Sequence, residues 1–178
     1  MRFSAAPLFQ AAVLVPVYRD AAGELRLVLV RRGDFGVHGG QLAFPGGKPE
    51  STDASLVDTA LRETQEEIGL PASAVQVLAT LPPIPTYVSN FLITPFLGRI
   101  VPPAAWQPME HEIAEVLEVS VRHLADPATH TEEDFWIPSQ NAYVRFPFFR
   151  VGEHRLWGAS YRIVLPLIPR LLASEWAI

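Results

Sequence analysis

The chain lacks cysteine, long apolar runs and any excess of positive charge, and each absence removes a class of function. With no cysteine among 178 residues there is no disulfide framework and no thiolate metal site. That composition fits a reducing cytoplasm, the expected location. No stretch reaches the ~18 unbroken apolar residues of a membrane span, so no membrane partner is expected. The segment MRFSAAPLFQAAVLVPV holds a single arginine and is interrupted by Pro16, which suits a first strand better than a signal peptide. Fourteen Lys and Arg against nineteen Asp and Glu leave a net charge of −5. This argues against a bulk grip on nucleic acid while allowing a local pocket for one small anion. No internal repeat or low-complexity linker divides the chain, and 49% apolar residues can fill a sizeable core. Residues 1–178 therefore read as one domain.

The pattern of breakers and apolar runs predicts strands at Ala11–Tyr18 and Leu25–Arg31 around the turn Asp20–Gly23, then a short strand at Gln41–Phe44. A helix is expected from near Ser51–Asp53 to Gly69, with Val57, Ala60, Leu61, Thr64 and Ile68 as its core face. Further strands are expected at Val75–Leu81, Phe91–Ile100 and Glu112–Val119. A last meander spans Phe135–Ile137, Tyr143–Arg150 and Arg155–Trp157. A closing helix covers Ala159–Leu172, where Pro166 and Pro169 should kink or break it. Mixed strands with two helices imply an α/β class with an α/β/α sandwich.

The segment from Phe44 to Leu70, FPGGKPESTDASLVDTALRETQEEIGL, carries the chemistry. At ~100° per residue, Glu66 and Glu67 lie within about 60° of Glu63, so three carboxylates share one helix face. Like charges at these spacings weaken a helix by about 0.2–0.5 kcal/mol per pair, and only Arg62 is near to offset them. All-oxygen, anionic ligation suits Mg²⁺ or Mn²⁺, and Mg²⁺ is commonly held by a few carboxylates together with substrate phosphate oxygens. A solvated acidic face is the alternative.

This stretch resembles a Nudix box: Gly47 matches the opening glycine, Arg62 and Glu63 the central pair, Glu66 and Glu67 the second pair, and Gly69 with Leu70 the close. Asp53 stands where the first Glu is expected, with eight residues rather than seven before Arg62, and Thr64 fills an apolar slot. The Asp with one extra residue resembles the coenzyme A diphosphatase branch. So do Arg31 and the run His38-Gly39-Gly40-Gln41-Leu42-Ala43-Phe44-Pro45-Gly46-Gly47, although Arg32 and Gly36 replace an expected Ser and Arg. Ile93–Phe96, Glu112–Val116 and Trp157–Ser160 extend the likeness over most of the chain.

The resemblance implies a Nudix fold with a mixed sheet and a small nucleoside diphosphate substrate, CoA-like. It also implies hydrolysis of the diphosphate of CoA or acyl-CoA to 3′,5′-ADP and 4′-phosphopantetheine. Another nucleoside diphosphate, such as ADP-ribose or a dinucleoside polyphosphate, is the alternative, and a non-catalytic sensor a third. Glu63, Glu66, Glu67 and the Gly47 carbonyl are the expected metal ligands, Glu63 being either ligand or base, with Arg62 orienting the carboxylates. Glu112 and Glu115 are the candidates for a distant fourth carboxylate, and Glu115 is preferred as general base. Arg31, His38 and Gln41 are the expected substrate contacts, Arg31 through bidentate phosphate binding. Most of Tyr87, Phe91, Trp106, Trp136, Phe148 and Trp157 are expected in the core rather than on a base-stacking platform. A homodimer remains open.

Overall fold

The computed structural model describes residues 8–34, 39–86, 89–137 and 141–178, with the Ile137 side chain left aside. Among these, the first sheet contains β1 (Phe9–Arg19), β2 (Leu25–Arg32), β3 (Leu42–Ala43), β4 (Gly46–Gly47), β5 (Val75–Thr80), β6 (Ile84–Pro85), β7 (Phe91–Ile100) and β8 (Ile113–Ser120). Its path runs β3-β2-β1-β7-β5, with β4 on β1, β6 on β7 and β8 on β2. β1 and β7 run parallel from Phe9↔Phe91 to Val17↔Arg99, while the other pairs are antiparallel, so the sheet is mixed.

Alternation along β1 and β2 sorts residues onto two faces. Ala12, Leu14, Val28 and Val30 pack with Ala60, Ile68 and Leu70 around helix α1 (Leu56–Ile68). Val15, Val17, Leu27 and Leu29 pack with Val164, Leu167 and Leu171 of helix α3 (Gly158–Leu172). The result is the α/β/α sandwich expected from the sequence. A short helix, α2 (Val121–Ala125), follows β8. A second sheet orders β11 (His154–Leu156), β10 (Ala142–Val151) and β9 (His130–Ile137), with β11 against β3 and β10 against α3.

Three expectations need correction. Helix α1 starts at Leu56, capped by Ser55, whose hydroxyl oxygen accepts from the Asp58 N–H at 3.3 Å. Asp53 does not cap it, because its carboxylate is used elsewhere. Helix α3 runs unbroken through Pro166 and Pro169. Burial of Ile163, Val164, Leu167, Ile168 and Leu171 outweighs the two missing backbone donors. Strand β9 begins at His130, five residues before the predicted Phe135. The acidic run Glu132–Asp134 hid it, and two of those charges are balanced by cations on neighbouring strands: Asp134 by Arg145, Glu133 by Arg150 and Arg155.

Thr64 tolerates its apolar slot because its hydroxyl donates to the Ala60 carbonyl at 2.6 Å, leaving the methyl for the core. Helix α1 stops at Gly69, whose φ of 73° is left-handed and whose N–H returns to the Gln65 carbonyl at 3.0 Å. A Cβ there would also lie 2.8 Å from that of Gln107. Gly69→Ala is expected to lower unfolding stability by about 1–2 kcal/mol, measured by urea titration.

Candidate active site

Two consecutive glycines bring backbone and carboxylates together. Gly47 and Gly46 pair with Ala12 and Val13 of β1, and α1 packs directly across them. The Gly46 N–H donates to Glu67 Oε2 at 3.0 Å. A Cβ on Gly47 would run into the Glu63 carboxylate, and one on Gly46 into the Ala12 carbonyl and Val13. Only a side-chain-free residue permits this approach at Gly46, while a side chain at Gly47 would push the Glu63 carboxylate aside.

The glutamates differ in exposure. Glu67 is only 3% exposed, so it belongs to the buried side of α1, contrary to a clean split between packing and acidic faces. Glu66 is 47% exposed and accepts from Arg62 Nη1 at 3.0 Å. Burial pushes the Glu67 carboxyl up to about 7, against the opposing pull of the Gly46 N–H and Arg32, with Glu63 and Glu112 adding repulsion. Burial also raises Glu63, the Arg62 charge opposes it, and Glu66 and Glu112 add to the rise.

Arg62 organises this cluster. Its Nε donates to Asp53 Oδ1 at 2.9 Å and its Nη2 to Asp53 Oδ2 at 3.0 Å, a bidentate pair. Nη2 also reaches Glu63 Oε1 at 3.3 Å and the Lys48 carbonyl at 3.0 Å. Asp53 takes two further bonds, from Thr59 Oγ1 and the Glu50 N–H, both at 2.9 Å. Part of the acidic crowding is thus met by Arg62 rather than by a metal. Among the described residues no three acidic or histidine side chains already converge on one point. Glu67 remains a desolvated carboxylate with a single backbone donor, beside Glu63 and the Gly47 backbone. This donor set fits a hard divalent cation.

The NUDIX domain family matches residues 8–140. The chain belongs to the Nudix family. It is 46% identical over 155 residues to a Pectobacterium atrosepticum protein named "Uncharacterized Nudix hydrolase NudL", covering 87% of this chain and 79% of that one. The Salmonella newport protein of the same name is 46% identical over 152 residues, covering 85% and 72%. The Nudix hydrolase RenU from M. Smegmatis superposes with a TM-score of 0.65 at 18% identity, over 97% of this chain and 91% of that one. A C. elegans Ap4A hydrolase binary complex gives 0.54 at 19% identity, over 65% and 82%. These structures share the Nudix fold. The chain is accordingly a Nudix hydrolase, acting on a nucleoside diphosphate derivative.

This Nudix sheet separates other residues that the sequence grouped. Arg31 and Glu115 pair across β2 and β8, in the alternation of Leu29 and Leu117, which places both on the α3 side. Glu115 lies 3.8 Å from Arg31 Nε and 3.7 Å from His154 Nε2. It is not brought to the α1 carboxylates, so the preference for Glu115 as base loses its geometric support. The register slips between Arg31↔Glu115 and Arg32↔Ile113, leaving Ala114 as a bulge that turns Ile113 to the same side as Val116. Glu112 sits in the turn just before β8 and acts on both Glu63 and Glu67.

Adjacent strand residues face opposite ways, so Arg32, not Arg31, acts on Glu67. The phase was readable from Val28 and Val30. Gln41 immediately precedes β3, its carbonyl accepting from the Arg32 N–H at 3.0 Å. His38 and Tyr87 lie outside the described residues. Phe148 is buried, whereas Trp136 is exposed on β9. Asp53 as the anchor of Arg62 escaped notice as a site residue, although its position as an altered box residue marked it.

The Arg62 guanidinium holds the Asp53 carboxyl far below its ordinary value of 3.8. A depressed value contributes stability above the ordinary range that is lost as pH falls through and below it. The stability difference between wild type and Asp53→Asn should therefore stay constant from pH 8 to about 5 and shrink below about 4. Chemical denaturation across that range measures it, and a gap widening in acid would contradict the pairing.

Proposed function

We propose that this Nudix hydrolase cleaves the diphosphate of coenzyme A or acyl-CoA, giving 3′,5′-ADP and (acyl-)4′-phosphopantetheine, with Mg²⁺ or Mn²⁺. The observation that carries the reading is the pair of desolvated carboxylates, Glu63 and Glu67, closed on the Gly46–Gly47 turn within a box whose Asp53 spacing matches the CoA branch. We take residues 1–178 as one such domain, since one core cluster runs from β1 to α3.

Glu67, Glu66 and the Gly47 carbonyl would hold the cation, with Glu63 left to act as the base. When bound, it supplies charge neutralisation at the diphosphate and its leaving oxygen. Arg62, fixed by Asp53, keeps Glu63 and Glu66 oriented. Glu63 accepts a proton from the attacking water, whose oxygen bonds one phosphorus while that phosphorus parts from the bridging oxygen. The two products are phosphomonoesters. Glu112 adds negative charge beside Glu63 and supports its basicity. Arg31, Gln41 and His38 contact the remainder of the substrate.

The departures at Arg32 and Gly36 favour a second reading, in which ADP-ribose or a dinucleoside polyphosphate is the substrate. A panel of CoA, dephospho-CoA, ADP-ribose and diadenosine tetraphosphate, assayed with each metal, separates the two. CoA is expected to turn over fastest, and faster cleavage of ADP-ribose would select the alternative.

Activity should require the divalent ion, and Glu67→Gln should abolish nearly all turnover while thermal unfolding remains cooperative. Glu63→Gln should lower turnover by roughly 10²–10⁴, as lost acid–base catalysis does. A variant rate near wild type in either case would remove that residue from the site.

A further inference from the structure

We propose that Arg31 and His154 form a second anion site, for a phosphomonoester carried by the substrate away from its diphosphate, and that the Glu115 carboxylate is an internal competitor for it. The inference rests on the reading of Arg31 as a substrate contact.

The Arg31 and His154 side chains address one point. Glu115 Oε2 is 3.8 Å from Arg31 Nε and 3.7 Å from His154 Nε2, so the same oxygen sits beyond hydrogen-bond reach of both. Arg31 Nε is buried without a hydrogen-bond partner among the described residues. A buried N–H left unpaired costs free energy and calls for an acceptor. The rest of the guanidinium is lightly held: Nη1 donates at 3.2 Å to Asp34, whose side chain is 81% exposed. Glu115 is itself 51% exposed and can turn into water at little cost.

A phosphomonoester suits this point better than the carboxylate. Its several acceptor oxygens can take the Arg31 Nε–H and the His154 Nε2–H together, whereas one glutamate oxygen satisfies neither. The His154 nitrogen donates in the charged ring and in the Nε2-protonated neutral tautomer alike. The site exists only because β11 packs against β3, bringing His154 to a pair made by β2 and β8. It lies on the α3 side of the sheet, away from the α1 carboxylates but within a bounded reach of them: Arg31 pairs with Leu42, and the four steps from Leu42 to Gly46 span at most ~14 Å.

Calorimetric binding of adenosine 3′,5′-bisphosphate and of AMP to the intact protein tests the proposal without needing turnover. Wild type should bind the bisphosphate more tightly than AMP. Glu115→Gln, which removes the competing charge, should tighten the bisphosphate several-fold and leave AMP unchanged. Arg31→Gln and His154→Gln should weaken the bisphosphate by roughly tenfold or more, again sparing AMP. Equal binding of the two nucleotides by wild type, unchanged or weaker bisphosphate binding in Glu115→Gln, or parallel losses for both nucleotides would overturn it. A 100-fold loss of turnover in Glu115→Gln would instead restore that residue as the base. If CoA proves not to be cleaved while the bisphosphate pattern holds, the CoA assignment fails and the anion site stands.

Discussion

The contact between the Gly46–Gly47 turn and the carboxylates of α1 is the constraint around which the molecule is arranged. Bringing Glu67 to 3% exposure costs free energy that one N–H from Gly46 only partly offsets. The chain tolerates it because β4 is tied into the β1 ladder and α1 is anchored at both ends, by Ser55 and by Gly69. Gly46 cannot give way to a larger residue, since β1 backbone fills the space, and a side chain at Gly47 would displace the Glu63 carboxylate. A desolvated carboxylate in that position is suited to a positively charged ligand.

The electrostatics around that contact are layered. Asp53 and Arg62 form a bidentate pair that needs nothing further, and Arg62 spends its remaining donors on Glu63, Glu66 and the Lys48 carbonyl. A fixed guanidinium keeps two glutamates from splaying apart while Glu67 has no ionic hydrogen-bond partner among the described residues. The acidic box therefore folds around an internal cation, the Arg62 guanidinium.

Much of this was legible in the residues. Strand β7 falls at the expected Phe91–Ile100, and Gly69 ends α1 as expected. Breakers and caps act locally, so a sequence reading finds them. The start of α1 was misplaced because Asp53 looks like a cap until its long-range partner Arg62 is known. Strand β9 was cut short because its acidic run reads as loop until Arg145, Arg150 and Arg155 stand beside it. Helix α3 crosses two prolines because its apolar stripe is buried, and burial is not a local property.

The sequence by itself determined the family, the box and the identity of the crowded carboxylates, since these depend on residue type and spacing along one helix. Only the tertiary structure decided which charges share a side of the sheet. A single bulge at Ala114 sends Ile113 toward α1 and leaves Glu115 with Arg31 on the other face, and the packing of β11 adds His154 there. Strand alternation flips every side chain when one residue is inserted, so a sheet can reassign a charge without changing any residue.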